Sequence, residues 1–339
     1  MYIKKDTLDD LLRSVFTEII NNGETIQTSR KRSRELYGVA LELANPRARL
    51  SVTESRGKIF SGLGELFWYL SGSASLEFIK YYIKKYTKES EDGATVYGAY
   101  GPRLYDARGV NQVRNIIEQL RENPRSRRAV IQIFDAADLS RPQERRRIEI
   151  PCTSTLQFLM PNGKLTLVVN MRSNDALFGL PHDVFAFTML QELVARTLKV
   201  DVGKYVHFVG SLHLYEEMIG DAQAYISEGF QDTNLCMPPM PDGDPWDAIE
   251  VLKSAEKLAR EESKRPAAVS SLDPYWQDLA RMFLIFAASK RNDEAAMRSI
   301  SSQMHFDIYS QFIEARIESA SKRPDYQPPL NLEPKGIKP

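Results

Sequence analysis

The sequence predicts an α+β fold in which helices flank a mixed or largely antiparallel sheet. Segments with alternating apolar residues indicate strands, and segments with apolar residues every three or four positions indicate amphipathic helices. Both kinds of segment are interleaved up to about residue 236, whereas only helical patterns follow. Because 42% of the 339 residues are hydrophobic, the chain can bury a substantial core.

Four helices and five strands are predicted before residue 237. Apolar spacing predicts the helices Thr7–Asn22, Ser61–Leu70, Gln112–Glu122 and Val184–Leu198. Alternation and short apolar runs predict the strands Glu35–Leu43, Ala129–Phe134, Ser154–Met160, Leu165–Asn170 and Tyr205–Leu214. The turn signal Pro161-Asn-Gly163 indicates that the third and fourth of these strands form a hairpin.

A change in composition divides the chain near residue 237. The run Met237-Pro-Pro-Met-Pro-Asp-Gly-Asp-Pro245 has the proline content of a linker. Three further helices are predicted beyond it: Trp246–Glu262, Pro274–Lys290 and Asp293–Ser319. We therefore predict a catalytic domain over residues 1–236 and a C-terminal helical extension, with a proline-rich tail, over residues 237–339.

Composition excludes several classes of protein. The 45 basic residues balance 45 acidic ones, which argues against a protein that coats nucleic acid. Two cysteines are too few for a disulfide framework, and the start has no signal-peptide pattern, so we expect a cytoplasmic protein. No apolar stretch is long enough to cross a membrane. The histidines and cysteines lack the spacing of a metal site.

Cys152 is the candidate nucleophile, because it lies directly before an apolar strand in Glu149-Ile-Pro-Cys-Thr153. A lone cysteine is equally often a buried structural residue. A nucleophilic role needs an activating charge, since the thiolate is the reactive form. Arg172 and the pair Arg127 and Arg128 lie on or beside predicted strands and could supply that charge or bind an anion.

Each further candidate residue has both a functional and a purely structural interpretation. Glu65 lies within an apolar helix and could shuttle protons there, or it could lie on the solvent face. Alternation places His213 and Tyr215 on one face of a strand, where they could hold a sugar hydroxyl or simply fill the core. The basic run from Ser29 to Arg34 is either a solvated loop or part of a phosphate site.

Seven short motifs in a fixed order resemble the thymidylate synthase superfamily over about residues 8 to 235. They are Gly64-Glu-Leu-Phe-Trp68, Val96-Tyr-Gly98, Ser126-Arg-Arg128, Pro151-Cys152, Arg172-Ser-x-Asp175, Gly179-Leu-Pro181 and His213-Leu-Tyr215. The resemblance implies a pyrimidine nucleotide substrate, 5,10-methylenetetrahydrofolate as co-substrate and a homodimer.

The resemblance also implies a role for each matching residue. Cys152 would add to C6 of the pyrimidine, Glu65 would organise water and protons, and Tyr97 would assist removal of the C5 proton. The implied ligands of the phosphate and the sugar are Arg30, Arg172, Ser173, His213 and Tyr215, with Arg127 and Arg128 from the second subunit. Glu65, Asp175 and Gly179 would contact the folate. Arg30 is the weakest of these matches, because its loop does not align cleanly.

The departures from the family pattern indicate a different reaction. Where thymidylate synthases read uracil with an asparagine two residues after Gly-Leu-Pro, this chain has Asp183, as the related deoxycytidylate hydroxymethylases do. A carboxyl group there can accept from N4 of cytosine and share a proton with N3. Thr153 replaces a frequent histidine, the expected folate-facing tryptophan is missing with Tyr86 the nearest aromatic residue, and Pro334–Pro339 matches the folate-closing C-terminus only faintly.

These departures favour water rather than hydride as the final reactant. We therefore predict a hydroxymethyltransferase that converts dCMP or CMP and methylenetetrahydrofolate to the 5-hydroxymethyl nucleotide and tetrahydrofolate. The alternatives are a divergent thymidylate synthase, a dUMP hydroxymethylase, or a catalytically silent nucleotide-binding protein, which would not need Cys152 and Glu65.

Overall fold

The computed structural model describes residues 1–27, 31–53, 58–140, 149–233, 235–262 and 264–321. The strands in these residues are β1 (Tyr2–Lys5), β2 (Glu24–Gln27), β3 (Arg32–Leu43), β4 (Val130–Gln132), β5 (Thr153–Leu159), β6 (Lys164–Asp175) and β7 (Asp201–Tyr215). The helices up to residue 240 are α1 (Leu8–Asn22), α2 (Ile59–Leu70), α3 (Leu76–Tyr82), α4 (Tyr100–Tyr105), α5 (Gln112–Glu122), α6 (Gly179–Leu198) and α7 (Ile219–Ser227). Four more follow: α8 (Trp246–Glu262), α9 (Pro274–Lys290), α10 (Glu294–Ser301) and α11 (Ser310–Ser321).

The strands form one mixed sheet in the order β1-β3-β7-β6-β5-β4, and β2 pairs with β3. The pairs β1–β3 and β6–β7 are parallel, and the other pairs are antiparallel. The predicted α+β class with a mixed sheet is therefore confirmed. The parallel pair β6–β7 lies at the centre, with α6 as the crossover between its strands.

The two faces of the sheet differ in burial. On the face that the helices cover, these residues have no exposed surface: Leu41, Ile131, Leu156, Phe158, Leu167, Val169, Tyr205, His207 and Val209. On the opposite face Val130 and Phe208 are each 40% exposed. Registers place these two residues on neighbouring rows of that same face. No helix of the described residues shields these two side chains, so this face is available to a partner.

The C-terminal helices pack against α2. The rings of Phe67 and Phe283 meet edge to face at 5.0 Å, and Phe60 stacks on Phe286 at 6.0 Å. The apolar run of α9 is therefore core, as its composition suggests. The hydrophobic core is continuous between α2 and α9, and the domain division at residue 237 stays a prediction.

The helices α5, α8 and α9 have the predicted bounds. The single helix predicted from Asp293 to Ser319 is wrong, because it divides into α10 and α11. At the break, the Asp278 carboxylate accepts the backbone N–H groups of His305 and Phe306 at 2.9 and 3.0 Å, which fixes a non-helical conformation. The predicted strand Ala129–Phe134 is longer than β4.

The hairpin turn between β5 and β6 is confirmed. Asn162 and Gly163 have φ values of 55° and 74°, and glycine and asparagine tolerate this left-handed region best. Two sets of predicted features, Arg30 and the C-terminal tail at 322–339, lie outside the described residues. No helix in the described part of the chain is both long enough and apolar enough to cross a membrane.

Candidate active site

The candidate site is centred on Cys152, which is half-buried at the start of β5. The backbone N–H of Arg172 donates to the carbonyl of Cys152 at 2.8 Å, which holds β6 beside the cysteine. The Arg172 guanidinium donates to the carbonyls of Pro151 and Ile150 at 2.9 and 2.8 Å. The arginine therefore braces the segment that carries the thiol.

The Cys152 thiol is protonated in the free protein at neutral pH. Burial raises its pKa to about 11, and the Arg172 guanidinium offsets only part of this effect. The negative charge of Glu149 raises the pKa further. Since the thiolate is the nucleophile, formation of a covalent adduct must include removal of this proton.

Neighbouring residues of β6 and β7 bring four of the predicted ligands together. The parallel register pairs Ser173 with Ser211, and Asp175 with His213. Ser173 Oγ lies 3.4 Å from His213 Nδ1, and the rings of His213 and Tyr215 are 5.1 Å apart. The ends of β6 and β7 thus carry two hydroxyl groups and an imidazole, and the Arg172 guanidinium lies at the same end of β6. Such a set suits a phosphate and a sugar.

Glu65 is buried, with 5% of its surface exposed, so the solvent-facing alternative is wrong. It lies on α2, and Tyr86 donates its hydroxyl to the Glu65 carboxylate at 2.6 Å. Tyr86 also packs edge to face on Trp68 at 5.3 Å. Tyr86, the aromatic residue nearest in sequence to where the family has its folate-facing tryptophan, therefore positions the Glu65 carboxylate.

Asp183 lies in the first turns of α6, half-buried and close to Glu65. Burial raises the pKa of Asp183 well above its usual range, and the charge of Glu65 raises it further. A hydrogen bond from Asn174 acts in the opposite direction. Burial and the nearby carboxylate thus favour the protonated form of Asp183, which has one O–H donor and one carbonyl acceptor.

Two tyrosines of the same segment have different surroundings. Tyr97 donates to Asp138 at 2.8 Å, and Asp138 in turn accepts from Arg103 at 2.7 Å. Tyr100 lies beside Cys152, because its hydroxyl accepts from the backbone N–H and the hydroxyl of Thr153 at 3.2 and 3.0 Å. The hydroxyl nearest to the nucleophile on this segment is thus that of Tyr100, which the sequence motifs did not single out.

Arg127 and Arg128 are exposed and lie away from Cys152 of the same chain. The carbonyl of Ala129 accepts from the N–H of Phe158, which puts the pair beside the far end of β5. By the usual rise of a strand, Phe158 is about 17 Å from Thr153. The two arginines therefore do not join the site within one subunit.

The comparisons with known proteins agree with this arrangement. Residues 11–240 match the family model described as Thymidylate synthase. The chain belongs to the thymidylate synthase family. It is 28% identical to a thymidylate synthase of Francisella tularensis subsp. holarctica over 209 residues, which cover 58% of this chain and 75% of the relative.

Two phage relatives are named for a different activity. The deoxyuridylate hydroxymethyltransferase of Bacillus phage SP01 is 30% identical over 235 residues, 65% of this chain and 60% of that protein. The deoxyuridylate hydroxymethyltransferase of Delftia phage PhiW-14 is 31% identical over 199 residues, 55% of each chain. The chain thus matches less than two thirds of either phage protein. Membership of the family makes it a one-carbon transferase that uses methylenetetrahydrofolate as co-substrate.

The residues present fit a folate. Asp175 uses Oδ1 to accept the N–H groups of Leu177 and Phe178 at 2.9 and 3.1 Å, whereas its buried Oδ2 has no partner among the described residues. An unsatisfied buried carboxylate oxygen is costly unless a ligand donates to it, and a pterin ring has N–H groups that can. Gly179 begins α6 nearby, and a Cβ atom there would lie 2.6 Å from Asn174 Oδ1. In the described ranges no group of three histidine, cysteine or acidic side chains could hold a metal ion.

Alkylation of Cys152 should depend steeply on pH, because only the thiolate reacts. The rate with iodoacetamide should rise about tenfold per pH unit between about pH 7 and pH 10. Glu149→Gln removes a negative charge that raises the thiol pKa, so it should increase the rate at pH 7.5 about two- to fivefold. Peptide mass spectrometry measures both effects, with Cys236 as the internal control. An alkylation rate at Cys152 that levels off near pH 8 would contradict the raised pKa of this thiol.

Proposed function

We propose that the protein is a cytidylate 5-hydroxymethyltransferase that acts on dCMP or CMP. The observation that carries the proposal is that a carboxyl group, Asp183, stands in place of an amide at the position where the family reads the base. The net reaction joins the nucleotide, methylenetetrahydrofolate and water to give the 5-hydroxymethyl nucleotide and tetrahydrofolate.

The carboxyl group of Asp183 complements cytosine in more than one protonation state. As a neutral acid it donates to N3 and accepts from the N4 amino group. If the proton moves to N3, the resulting carboxylate still faces two donors. Uracil matches only the neutral acid, because a carboxylate would place one oxygen against the lone pairs of O4. A mismatched buried pair of this kind costs about 1–3 kcal/mol.

The surroundings of Cys152 favour water as the final reactant. A cavity beside the cysteine is lined by Trp68, Tyr69, Tyr86, Val96, Gly98, Tyr100 and Glu149. Three phenol groups and a carboxylate are among these groups, and they can orient a water molecule. The hydroxyl of Thr153 donates to Tyr100. The tyrosines, rather than the residue at position 153, would therefore hold a water molecule in this cavity.

Each residue then has a role that follows from its contacts. Cys152 Sγ bonds to C6 of the pyrimidine, which makes C5 nucleophilic toward the one-carbon unit. C5 then loses its proton as tetrahydrofolate leaves, water adds to the new exocyclic carbon, and the C6–S bond breaks to restore the C5=C6 double bond and return the thiol. Methylenetetrahydrofolate supplies the one-carbon unit. Glu65, held by Tyr86, accepts and returns protons near the base. Arg172 and Ser173 would hold the phosphate, and His213 and Tyr215 the sugar hydroxyl.

We propose that the active form is a homodimer joined through the uncovered face of the sheet. That face carries the exposed side chains of Val130 and Phe208. Arg127 and Arg128 precede β4, which is part of the same face, and they lie too far from Cys152 of their own chain. A two-fold partner packed on this face would receive the arginines and would return its own.

A dUMP hydroxymethyltransferase is the second candidate. The two phage relatives are named for that activity, and they are about as similar to this chain as the thymidylate synthase is. This candidate shares the water step and differs in the base alone. It would require Asp183 to stay neutral and to keep its proton on the oxygen that faces O4.

Tritium release from C5-labelled dCMP, CMP and dUMP distinguishes these reactions. With methylenetetrahydrofolate present, we expect release from a cytidylate without a rise in the absorbance of dihydrofolate, and a product whose mass includes a hydroxymethyl group. Whichever of dCMP and CMP releases tritium faster shows whether the enzyme prefers deoxyribose or ribose. Release from dUMP together with dihydrofolate would instead show a thymidylate synthase. Formation of 5-methylcytidylate and dihydrofolate in equal amounts would retain the base assignment and overturn the water step.

Asp183→Asn should shift the base preference toward dUMP. The amide has a fixed donor and acceptor and cannot exchange a proton with N3, so the ratio of kcat/KM for dCMP over dUMP should fall at least about tenfold. In the parent, dCMP binding should hold at neutral pH and weaken as pH rises through the elevated pKa of Asp183, since the proton for N3 is then lost. The variant should lack this alkaline loss. An unchanged preference and an unchanged pH profile would show that Asp183 does not contact the base.

Mixing two inactive variants tests the shared site. Cys152→Ala lacks the nucleophile, and the double variant Arg127→Ala, Arg128→Ala lacks the donated arginines. After subunit exchange, each mixed dimer has one intact site, so about a quarter of the parent activity should return. Sedimentation velocity measures the dimer in every sample. Dimers that exchange subunits but recover no activity would exclude donation of the arginines across the interface.

A further inference from the structure

Two tyrosines connect the cavity beside Cys152 to the reacting groups. Tyr100 lines this cavity, and its hydroxyl group hydrogen-bonds the backbone of Thr153, the residue next to the nucleophile. Tyr86 lines the same cavity, and its hydroxyl group lies 2.6 Å from the Glu65 carboxylate. The cavity therefore adjoins both the segment that carries the thiol and the carboxylate that moves protons.

The hydroxyl group of Tyr100 can only donate to a ligand in the cavity. Its oxygen already accepts the backbone N–H of Thr153 at 3.2 Å and the Thr153 hydroxyl at 3.0 Å. These two bonds use both lone pairs of the phenol oxygen. Burial raises the pKa of Tyr100 well above its usual range, so the hydroxyl group keeps its proton. No described residue accepts that proton, which leaves it for a ligand.

The hydroxyl group of Tyr86 has the opposite polarity. It donates its proton to the Glu65 carboxylate. Burial raises the pKa of Tyr86 well above its usual range, so this proton stays on the phenol. No donor to the Tyr86 oxygen is found among the described residues, so a ligand in the cavity can donate to it. The two tyrosines thus offer one donor and one acceptor.

Packing holds both rings in place. The Tyr100 ring stacks on Phe187 at 6.2 Å, with an interplanar angle of 8°, and packs against Tyr69 at 5.0 Å. The Tyr86 ring meets Trp68 edge to face at 5.3 Å. Rings that are close-packed in this way have little freedom to change rotamer. The donor and the acceptor therefore keep fixed positions in the cavity wall.

A water molecule fits this arrangement. The cavity has about 40 Å³ of space for the centres of water molecules, whereas about 10–15 Å³ is enough for one. A buried water needs about two to four polar partners, and Tyr100, Tyr86 and the Glu149 carboxylate line this cavity. A water between the two tyrosines accepts from Tyr100 and donates to Tyr86. One lone pair of its oxygen then remains for an electrophilic carbon.

We propose that Tyr100 and Tyr86 are catalytic residues that hold the water which adds to the exocyclic carbon of the nucleotide. Tyr100 donates to the oxygen of this water, and Tyr86 accepts its proton. This inference deepens the proposed function and rests on it, because it requires water as the final reactant. It does not depend on which pyrimidine or which sugar the nucleotide contains.

The water step conserves atoms and electrons. The water oxygen bonds to the exocyclic carbon, and the electron pair of the double bond between that carbon and C5 moves to C5. A proton passes from the water to Tyr86 Oη as Tyr86 gives its own proton to Glu65. The electron pair at C5 then restores the C5=C6 double bond and expels Cys152 Sγ. Nothing is oxidised or reduced, so the step needs no further reactant.

The ratio of tritium released from C5 to hydroxymethyl nucleotide formed tests these roles, with the whole chain and the nucleotide that the parent prefers. The C5 proton is lost before water adds, so the two products should keep pace in the parent. Tyr100→Phe and Tyr86→Phe should each raise the ratio at least about threefold, because the intermediate reverts to substrate when water adds slowly. A merely structural loss would reduce both rates together and leave the ratio unchanged.

An added thiol provides a second readout. β-Mercaptoethanol can add to the same exocyclic carbon in place of water, and mass spectrometry distinguishes the resulting thioether from the hydroxymethyl nucleotide. The share of thioether should rise at least about threefold in both variants relative to the parent, since a thiol in solution does not need the two tyrosines.

Tyr105→Phe is the matched control. Tyr105 lies on α4 with Tyr100, and its buried hydroxyl group has no partner among the described residues. This variant removes the same chemical group from the same helix, outside the cavity lining, so both readouts should equal those of the parent. If the folded Tyr100→Phe and Tyr86→Phe variants kept both parent values within about twofold, the inference would be overturned. If one of the two variants does not fold, the other decides.

Failure of the inference and failure of the proposed function give different results. A parent that forms a methyl nucleotide and dihydrofolate, or that releases no tritium, overturns the water step and both proposals with it. A parent that forms the hydroxymethyl nucleotide, with unchanged variants, retains the function and rejects the roles of the two tyrosines. A parent that prefers dUMP overturns the proposed base alone, and the variants are then compared on dUMP.

Discussion

The parallel pairing of β6 with β7 is the constraint on which the site depends. It aligns Asp175 with His213, and Ser173 with Ser211. One face of both strands is fully buried beneath the helices, so a slip of one residue would move that whole apolar set to the uncovered face. The hydrophobic pattern that builds the core therefore also sets the spacing of the groups that we propose contact the substrate.

A second constraint is the low polarity around the reacting groups. Cys152, Asp183 and the neighbouring tyrosines all have raised pKa values, chiefly because they are buried. Burial thus favours the protonated form of these groups in the free protein, and the positive charge of Arg172 lowers the pKa of the thiol. Reactivity is therefore withheld until a substrate changes the surroundings. Such a site protects a nucleophile from adventitious chemistry while it remains open to solvent.

Much of the fold could be predicted from the sequence, since the core segments are long and strongly patterned. The bounds of α5, α8 and α9 follow from apolar spacing, together with the N-cap candidates Asp244 and Asp273 before α8 and α9. The strands β1 and β2 were not predicted because each has four mostly exposed residues without alternation. The break between α10 and α11 depends on Asp278, a residue of α9 that no local pattern connects to it.

Site residues that stand in sequence motifs could be predicted, whereas contacts between residues far apart in the sequence could not. Cys152, Glu65, Arg172 and Asp183 stand in motifs that can be read in sequence. The proximity of Tyr100 to Thr153 is set by how α4 packs on the sheet. Asn174 and His207 are 33 positions apart and on different strands, so their contact is visible only in three dimensions.

The packing of α9 on α2 has a consequence for how this protein can evolve. The helix that carries Glu65 is clamped between α6 on one side and the aromatic rings of α9 on the other. A substitution in the C-terminal helices would displace the Glu65 carboxylate, because close-packed layers transmit such shifts. We therefore expect substitutions on the inner surface of the C-terminal helices to be accompanied by compensating substitutions on α2.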